Sequence, residues 1–214
     1  MNGLVLITGC ARSGTSMVSG VLSALGLDFG KPLHSKRRTY QPRGFFEHRH
    51  VRERVVKPML KRLGADPLGQ NPLPPRILRP SDREALVLGL KVRRELGQRA
   101  QAYKDAKVLL MWPYFHKAFP DATWVLVRRD RKAIALSCQR TPFMQKRSFL
   151  AGWLEWVDEH EARMDDLRAS GARVLEIWPD AGDVASFRPL VEELGLEWDE
   201  AKVEAALVPS AWHR

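Results

Sequence analysis

The chain has 214 residues, of which 44% are hydrophobic and 28% charged, with a formal net charge of +10 at neutral pH. This composition is that of an ordinary globular protein and excludes wholesale disorder, and at about 150 residues per domain it favours a single domain over 1–214. The two cysteines, Cys10 and Cys138, are too few for a disulfide framework or an all-cysteine zinc site.

The positive charge is concentrated in the first half of the chain. Residues 1–110 contain 21 Lys and Arg against 8 Asp and Glu, and the segment 31–62 alone contains 11 against 2. Such a field attracts anions, which include nucleotides, phosphorylated small molecules and nucleic acids, but it does not choose among them. No apolar run approaches the roughly 18 residues of a membrane span, and no secretory signal precedes the first apolar run. We therefore expect a cytoplasmic protein without membrane association.

The first predicted elements are a strand, a glycine-containing loop and a helix. Residues 3–8 are apolar almost throughout, which is typical of a strand buried on both faces of a parallel sheet. From Thr15 to Leu25 apolar residues recur at helical spacing, and Gly26 suits the position just after a helix. This order opens an α/β nucleotide-binding fold.

The remaining elements alternate between helices and strands. A basic loop and helix are predicted over 28–64, with the helix at about 47–63, and a proline-rich irregular excursion over 65–80. The Ser81–Glu84 segment resembles a capping box that opens a helix to about residue 100. Further strands are predicted at 107–111, 123–127 and 173–177, and further helices near 113–119, 131–139, 148–169 and 183–194. The pattern predicts a three-layer α/β fold of the P-loop nucleotide-hydrolase type, with a central parallel sheet of about five strands and helices on both faces.

The loop after the first strand predicts an anion site. Gly9–Ser16 has the length of the kinase phosphate loop, G-x-x-x-x-G-K-[ST], but Thr15 stands where that motif has lysine, and the cation comes earlier, at Arg12. Gly14 allows the backbone to approach an anion closely, and the helix N-terminus favours negative charge. The residues expected to bind the anion are Arg12, Ser13, Gly14, Thr15 and Ser16.

A second anion site is predicted after the strand 123–127. Arg129 and Ser137 are eight residues apart, so that a guanidinium and a helical hydroxyl could hold one phosphate. Two alternatives remain open. Arg128 could face the ligand instead, or residues 128–132 could be a solvated charge cluster with Asp130 as a helix cap.

Both motifs resemble those of sulfotransferases that use 3′-phosphoadenosine 5′-phosphosulfate (PAPS). Arg12–Ser16 is similar to the family's 5′-phosphosulfate loop, with Ala11 in place of a proline, and Arg129 with Ser137 is similar to its 3′-phosphate pair, with Arg131 in place of a proline. Residues 40–47 and Lys104-Asp105 extend the similarity. The resemblance implies PAPS as sulfuryl donor, adenosine 3′,5′-bisphosphate as product, no metal, and a small-molecule or glycan hydroxyl, less often an amine, as acceptor.

Sulfuryl transfer needs a base for the acceptor hydroxyl and positive charge near the leaving phosphate oxygen. We expect Arg12 and the loop amides to supply the positive charge. Glu47, which matches the family's glutamate after an aromatic pair, is the first candidate base, although a first-turn helix acid is the alternative. His48 and His50 are the next candidates, because an ordinary imidazole pKa of about 6.5 suits a base, with exposed helical side chains as their alternative.

Two other functions are compatible with the sequence. A small-molecule kinase with an altered loop would bind ATP with magnesium, and a non-enzymatic nucleic-acid binder would use the basic segment 31–62. No nucleic-acid motif accompanies that segment, and the histidines lack metal-ligand spacing, so we expect neither nucleic acid nor metal as a partner. The sequence leaves the oligomeric state open.

Overall fold

The computed structural model describes residues 3–33, 44–179 and 182–207. Its strands are β1 (Val5–Gly9), β2 (Ala102–Lys104), β3 (Thr123–Val127) and β4 (Arg173–Ile177). They form one parallel sheet in the order β2-β1-β3-β4. The predicted α/β architecture with a central parallel sheet is confirmed, with four strands in the described residues where about five were expected.

Helices cover both faces of this sheet. They are α1 (Thr15–Ala24), α2 (Arg49–Val51), α3 (Lys57–Arg62), α4 (Asp82–Leu96), α5 (Trp112–Ala118), α6 (Arg131–Gln139), α7 (Leu150–Ala169), α8 (Arg188–Glu193) and α9 (Glu200–Ala206). Successive residues of β1 alternate between the two faces, as the two-residue period of a strand requires. Leu4 and Leu6 pack with α2 to α7, whereas Val5 and Ile7 pack with α1, α8 and α9.

The predicted start of α4 is confirmed in detail, and the helix predicted before it is interrupted. Ser81 accepts a hydrogen bond from the backbone of Glu84, and the Glu84 carboxylate accepts one from the backbone of Ser81, which completes the capping box of α4. The helix predicted at 47–63 consists of α2 and α3, joined by a π-helical turn at Arg52–Val56. The excursion 65–80 contains neither helix nor strand.

The strand predicted at 107–111 is wrong. Ala106–Met111 is a 3₁₀ helix, and the strand beside β1 is the shorter segment Ala102–Lys104. Asp105 stops the strand, because its side chain accepts a hydrogen bond from Lys107 N at 2.9 Å and caps the 3₁₀ turns. A short apolar run that is buried on all sides has the same composition in either conformation.

The carboxyl-terminal region also differs from the prediction. The helix expected at 183–194 is divided into a 3₁₀ turn, Val184–Phe187, and α8. Helix α9, which begins after Asp199 caps it through Lys202 N, was not predicted from the sequence.

Candidate functional site

The loop between β1 and α1 has the backbone of an anion cradle. Gly9, Arg12 and Gly14 all have positive φ, at +153°, +74° and +103°. A left-handed conformation is uncommon for arginine, and such strain is maintained mainly at functional sites. Ser13 Oγ is buried and has no hydrogen-bond partner among the described residues. A buried hydroxyl without a partner indicates a ligand that completes its hydrogen bonding, so the cradle fits an anion.

The structure brings the second predicted anion site into contact with this loop. Arg129 donates from its guanidinium to the Arg12 carbonyl at 3.0 Å, and Arg12 Nε donates to Ser137 Oγ at 3.0 Å. The contact follows from the sheet order, because β3 lies beside β1 and its carboxyl end meets the loop. Burial and the neighbouring charge of Arg12 lower the pKa of Arg129. An anion between the two guanidiniums would relieve their repulsion.

The structure also distinguishes Arg129 from its neighbours. Arg128 is turned away and pairs with Asp165 and Glu176, at 3.1 and 3.0 Å. Asp130 caps α6 by accepting a hydrogen bond from Ala133 N at 2.7 Å. The charged segment 128–132 therefore contains the predicted helix cap, Asp130, and Arg129 is its residue that contacts the Gly9–Ser16 loop.

Lys104 is a site residue that the sequence analysis did not select. It stands at the carboxyl end of β2, opposite Ile7 of β1, and its side chain is only 3% exposed. Its Nζ donates to Ser16 Oγ at 3.0 Å and to the Phe45 carbonyl at 2.9 Å. Burial lowers the pKa of Lys104, and the nearby Glu47 carboxylate acts in the opposite direction. A neighbouring strand thus supplies the lysine that the loop lacks at Thr15.

Glu47 lies beside Lys104 and is surrounded by cations. Its carboxylate is 3.1 Å from Arg52 Nε, 3.5 Å from Lys104 Nζ and 3.8 Å from Lys107 Nζ. Three positive neighbours favour the charged carboxylate. The residues 40–43 that precede this segment, including Arg43, lie outside the described residues. Glu47 is accordingly placed close to the loop as a charged hydrogen-bond acceptor.

The two histidines have different surroundings. His48 is fully buried, caps α2 by accepting a hydrogen bond from Val51 N at 3.4 Å, and packs near Gly30. Burial lowers the pKa of His48. His50 is half-buried and lies 3.8 Å from Glu95. Because the Nδ1 lone pair of His48 is used by the helix cap, this geometry favours Glu47 over His48 as the base.

Three segments, 44–47, 65–80 and 141–147, contact one another next to Lys104, and together they are called the wall. The ring of Phe45 meets that of Phe143 edge to face, with centroids 6.5 Å apart. The buried side chain of Gln70 donates to the Phe143 carbonyl at 2.8 Å and accepts from Gln145 N at 3.0 Å. The proline-rich excursion is thereby fixed to the segment after α6.

The excursion is also attached to α7. Trp156 Nε1 donates to the Gly69 carbonyl at 2.9 Å, and Arg163 donates to the Pro74 carbonyl at 2.8 Å. The irregular segment 65–80 is therefore an ordered part of the wall.

Both cysteines lie close to the proposed donor site, Cys10 within the Gly9–Ser16 loop and Cys138 next to Ser137, but their thiols are unreactive. Cys10 and Cys138 are free and buried, and burial raises the pKa of both thiols, that of Cys138 to about 12. Thiols of this kind stay protonated and unreactive at neutral pH. Within the described residues, no group of three or more His, Cys, Asp or Glu side chains is arranged to hold a metal ion. No helix in that part of the chain is long and apolar enough to cross a membrane.

Comparisons with known proteins bear on the family and on the fold. The sequence profile of the sulfotransferase family matches residues 5–200. Among solved structures, a sulfotransferase from Mycobacterium tuberculosis is similar, with a TM-score of 0.54 and 15% identity, over 97% of this chain and 71% of that one. At this identity the likeness concerns the fold. No curated protein matches the sequence.

Proposed function

The chain belongs to the sulfotransferase family, and from this premise we propose that it transfers the sulfuryl group of PAPS to a hydroxyl acceptor. In this reaction the acceptor oxygen forms a bond to sulfur, and the bond between sulfur and the bridging phosphate oxygen breaks. The bridging oxygen leaves with adenosine 3′,5′-bisphosphate, and the acceptor proton passes to a base. The observation that supports the proposal is the 3.0 Å contact of Arg12 with Ser137, which joins the two groups that we propose bind the donor's phosphates at one sheet edge.

Each residue of the loop region has a role in holding the donor. The Gly9–Ser16 loop, with Arg12, Ser13, Gly14, Thr15 and Ser16, would hold the 5′-phosphosulfate, and the unpartnered Ser13 hydroxyl supplies a donor there. Arg129 and Ser137 would hold the 3′-phosphate. Arg12 and Lys104 place positive charge where negative charge grows on the bridging oxygen.

Glu47 is the proposed base for the acceptor hydroxyl. Its carboxylate can accept the acceptor's proton, and it lies 3.5 Å from Lys104 Nζ, the group proposed to contact the donor. The acceptor would lie against the wall formed by Phe45 and Phe143. The acceptor class is a small-molecule or glycan hydroxyl.

Lys104 also bears on the kinase alternative, because it supplies a lysine to a phosphate loop. In kinases, however, the hydroxyl at the position of Ser16 binds magnesium. Here that hydroxyl accepts a hydrogen bond from an ammonium group, which repels a divalent cation. The arrangement therefore favours sulfuryl transfer over phosphoryl transfer.

Among the described residues of the basic segment 31–62, several cations are paired within the protein, which weakens the nucleic-acid alternative. Arg52 and Lys57 pair with Glu53, and Arg54 pairs with Glu95. Cations that are paired within the protein contribute less to the release of counterions from a phosphate backbone.

Thermal stability with added nucleotides tests the proposed function. Adenosine 3′,5′-bisphosphate should raise the melting temperature in the absence of metal, and ATP with Mg²⁺ should not. A shift with ATP and Mg²⁺ alone would support the kinase instead. Labelled PAPS offered with a panel of hydroxyl and amine compounds then identifies the acceptor.

A further inference from the structure

Phe46 has a backbone conformation that bulky residues rarely adopt. Its φ is +53°, in the left-handed region, where Cβ crowds the following carbonyl oxygen. Gly44, two residues earlier, also has a positive φ, of +84°, so two left-handed residues lie close together in the segment 44–47. A conformation of this kind persists only where the surroundings hold it in place.

The ring of Phe46 is fixed to the helix that follows the phosphate loop. It lies against α1 at Gly20, where a Cβ atom would come within 3.5 Å of two ring carbons. On another side it meets the ring of Phe29 edge to face, with centroids 6.0 Å apart. The ring therefore packs on α1 at ordinary van der Waals distance from the position of that Cβ.

The residues on either side of Phe46 both reach Lys104. The Phe45 carbonyl accepts hydrogen bonds from Lys104 Nζ at 2.9 Å and from Ser16 Oγ at 3.3 Å. The Glu47 carboxylate is 3.5 Å from the same nitrogen. The left-handed residue between them turns the chain so that a backbone carbonyl and a carboxylate converge on one amine.

We propose that Phe46 is a positioning residue of the donor site. Its ring, packed on α1, holds the left-handed backbone conformation that keeps the Phe45 carbonyl on Lys104 and Ser16. It touches no reacting atom and acts through Lys104. This inference rests on the proposed function, since it requires Lys104 and Ser16 to contact the 5′-phosphate of the donor.

The test is a double-variant cycle on the binding of adenosine 3′,5′-bisphosphate, measured by calorimetry. Phe46→Ala and Lys104→Ala should each weaken binding about tenfold, the scale of one hydrogen bond to a charged group. If Phe46 acts through Lys104, the double variant binds no more weakly than Lys104→Ala alone. Two effects that multiply, or a Phe46→Ala protein that binds as tightly as the wild type, would overturn the proposal.

Three further variants separate positioning from general stability. Phe187→Ala, in a buried 3₁₀ turn far along the chain, should lower the melting temperature and leave bisphosphate affinity unchanged. Phe46→Tyr keeps the ring and should restore wild-type binding. If Phe46→Ala does not fold, Phe46→Leu takes its place in the cycle. A wild-type protein that binds no bisphosphate contradicts the proposed function and with it the role of Phe46, whereas wild-type binding that Phe46→Ala leaves intact contradicts the role of Phe46 alone.

Discussion

Lys104 Nζ and Glu47 Oε1 lie 3.5 Å apart, as an ion pair whose side chains are 3% and 10% exposed. Burial on this scale makes each charge depend on its partner, because removing one leaves the other without compensation. Lys104 of this pair contacts Ser16 of the phosphate loop and the carbonyl of Phe45 in the wall. The pair therefore connects the group proposed to bind the donor with the group proposed to activate the acceptor.

Bisphosphate affinity should fall at alkaline pH because of Lys104. Burial lowers the pKa of Lys104, so its amine loses its charge at a lower pH than an ordinary lysine, whose pKa is about 10.4. The charged amine binds the anion, so affinity is lost as pH rises through this lowered pKa. Calorimetry across the alkaline range measures the fall. Lys104→Arg, which stays charged, should remove it, and a wild-type affinity that is constant up to about pH 10.4 would contradict the prediction.

Glu47→Gln should separate turnover from donor binding. The amide cannot take a proton, so the transfer rate should fall by about 10²–10⁴. The substitution also removes the carboxylate charge that compensates Lys104, so the bisphosphate, whose phosphate can compensate the same charge, should bind at least as tightly as to the wild type. Initial rates of labelled sulfuryl transfer and calorimetry give the two quantities. His48→Asn is the control, because asparagine can also cap α2 and should leave the rate unchanged. An unaffected rate in Glu47→Gln places the base elsewhere, with His48 and then His50 as the next candidates.

Arg129→Ala should weaken binding specifically through the 3′-phosphate. Loss of a charged phosphate contact should reduce affinity for adenosine 3′,5′-bisphosphate by roughly 10- to 100-fold and leave affinity for adenosine 5′-phosphate nearly unchanged. Arg128→Ala is a matched control, since its partners are Asp165 and Glu176. Equal losses for both nucleotides, or for both variants, would show that Arg129 does not read the 3′-phosphate.

Acid should destabilise the fold through His160. This ring is buried against Trp156, with centroids 3.9 Å apart, and burial lowers the pKa of His160 to about 3. The unfolded chain binds a proton near pH 6.5 whereas the folded chain does not, so stability declines as pH falls from about 6.5 toward 3. Chemical denaturation at several pH values measures the slope. His160→Gln should flatten it relative to His50→Gln, and identical slopes for the two variants would count against this cause.

Local patterns in the sequence correctly predicted the loop between β1 and α1 and the strand and helix that carry Arg129 and Ser137, while donor binding by these residues stays a prediction. The Gly9–Ser16 loop depends on contiguous residues and on one strand and one helix, so its place in the fold follows from neighbouring residues alone. Arg129 and Ser137 likewise lie on adjacent elements, β3 and α6. What the sequence could not show is that the two groups touch, since this depends on β1 and β3 being neighbours in the sheet.

Lys104 was missed because the strand was predicted a few residues too late. With a strand at 107–111, Lys104 precedes the strand and lies at the wrong edge of the sheet. With the strand at Ala102–Lys104, it stands at the carboxyl edge beside the loop. The apolar composition of the run that follows could not distinguish a strand from buried 3₁₀ turns, and only the cap formed by Asp105 decides between them.

The contacts of Gln70 depend on residues far apart in sequence. Nothing near a buried glutamine in a proline-rich segment indicates that its amide will bind a loop more than 70 residues later. Long-range polar contacts of this type arise from the packing of whole elements, and no periodicity records them.

The single amide of Gln70 has a consequence for how this scaffold can change. The proposed donor site lies at the ends of strands in the middle of the sheet. The wall beside it includes two segments, 65–80 and 141–147, which the side chain of Gln70 joins. Exchanging 65–80 together with 141–147 would therefore change the proposed acceptor side of the site as one unit. The residues at the sheet edge that are proposed to bind the donor would stay the same. Acceptor specificity would then change without any change in the residues proposed for catalysis.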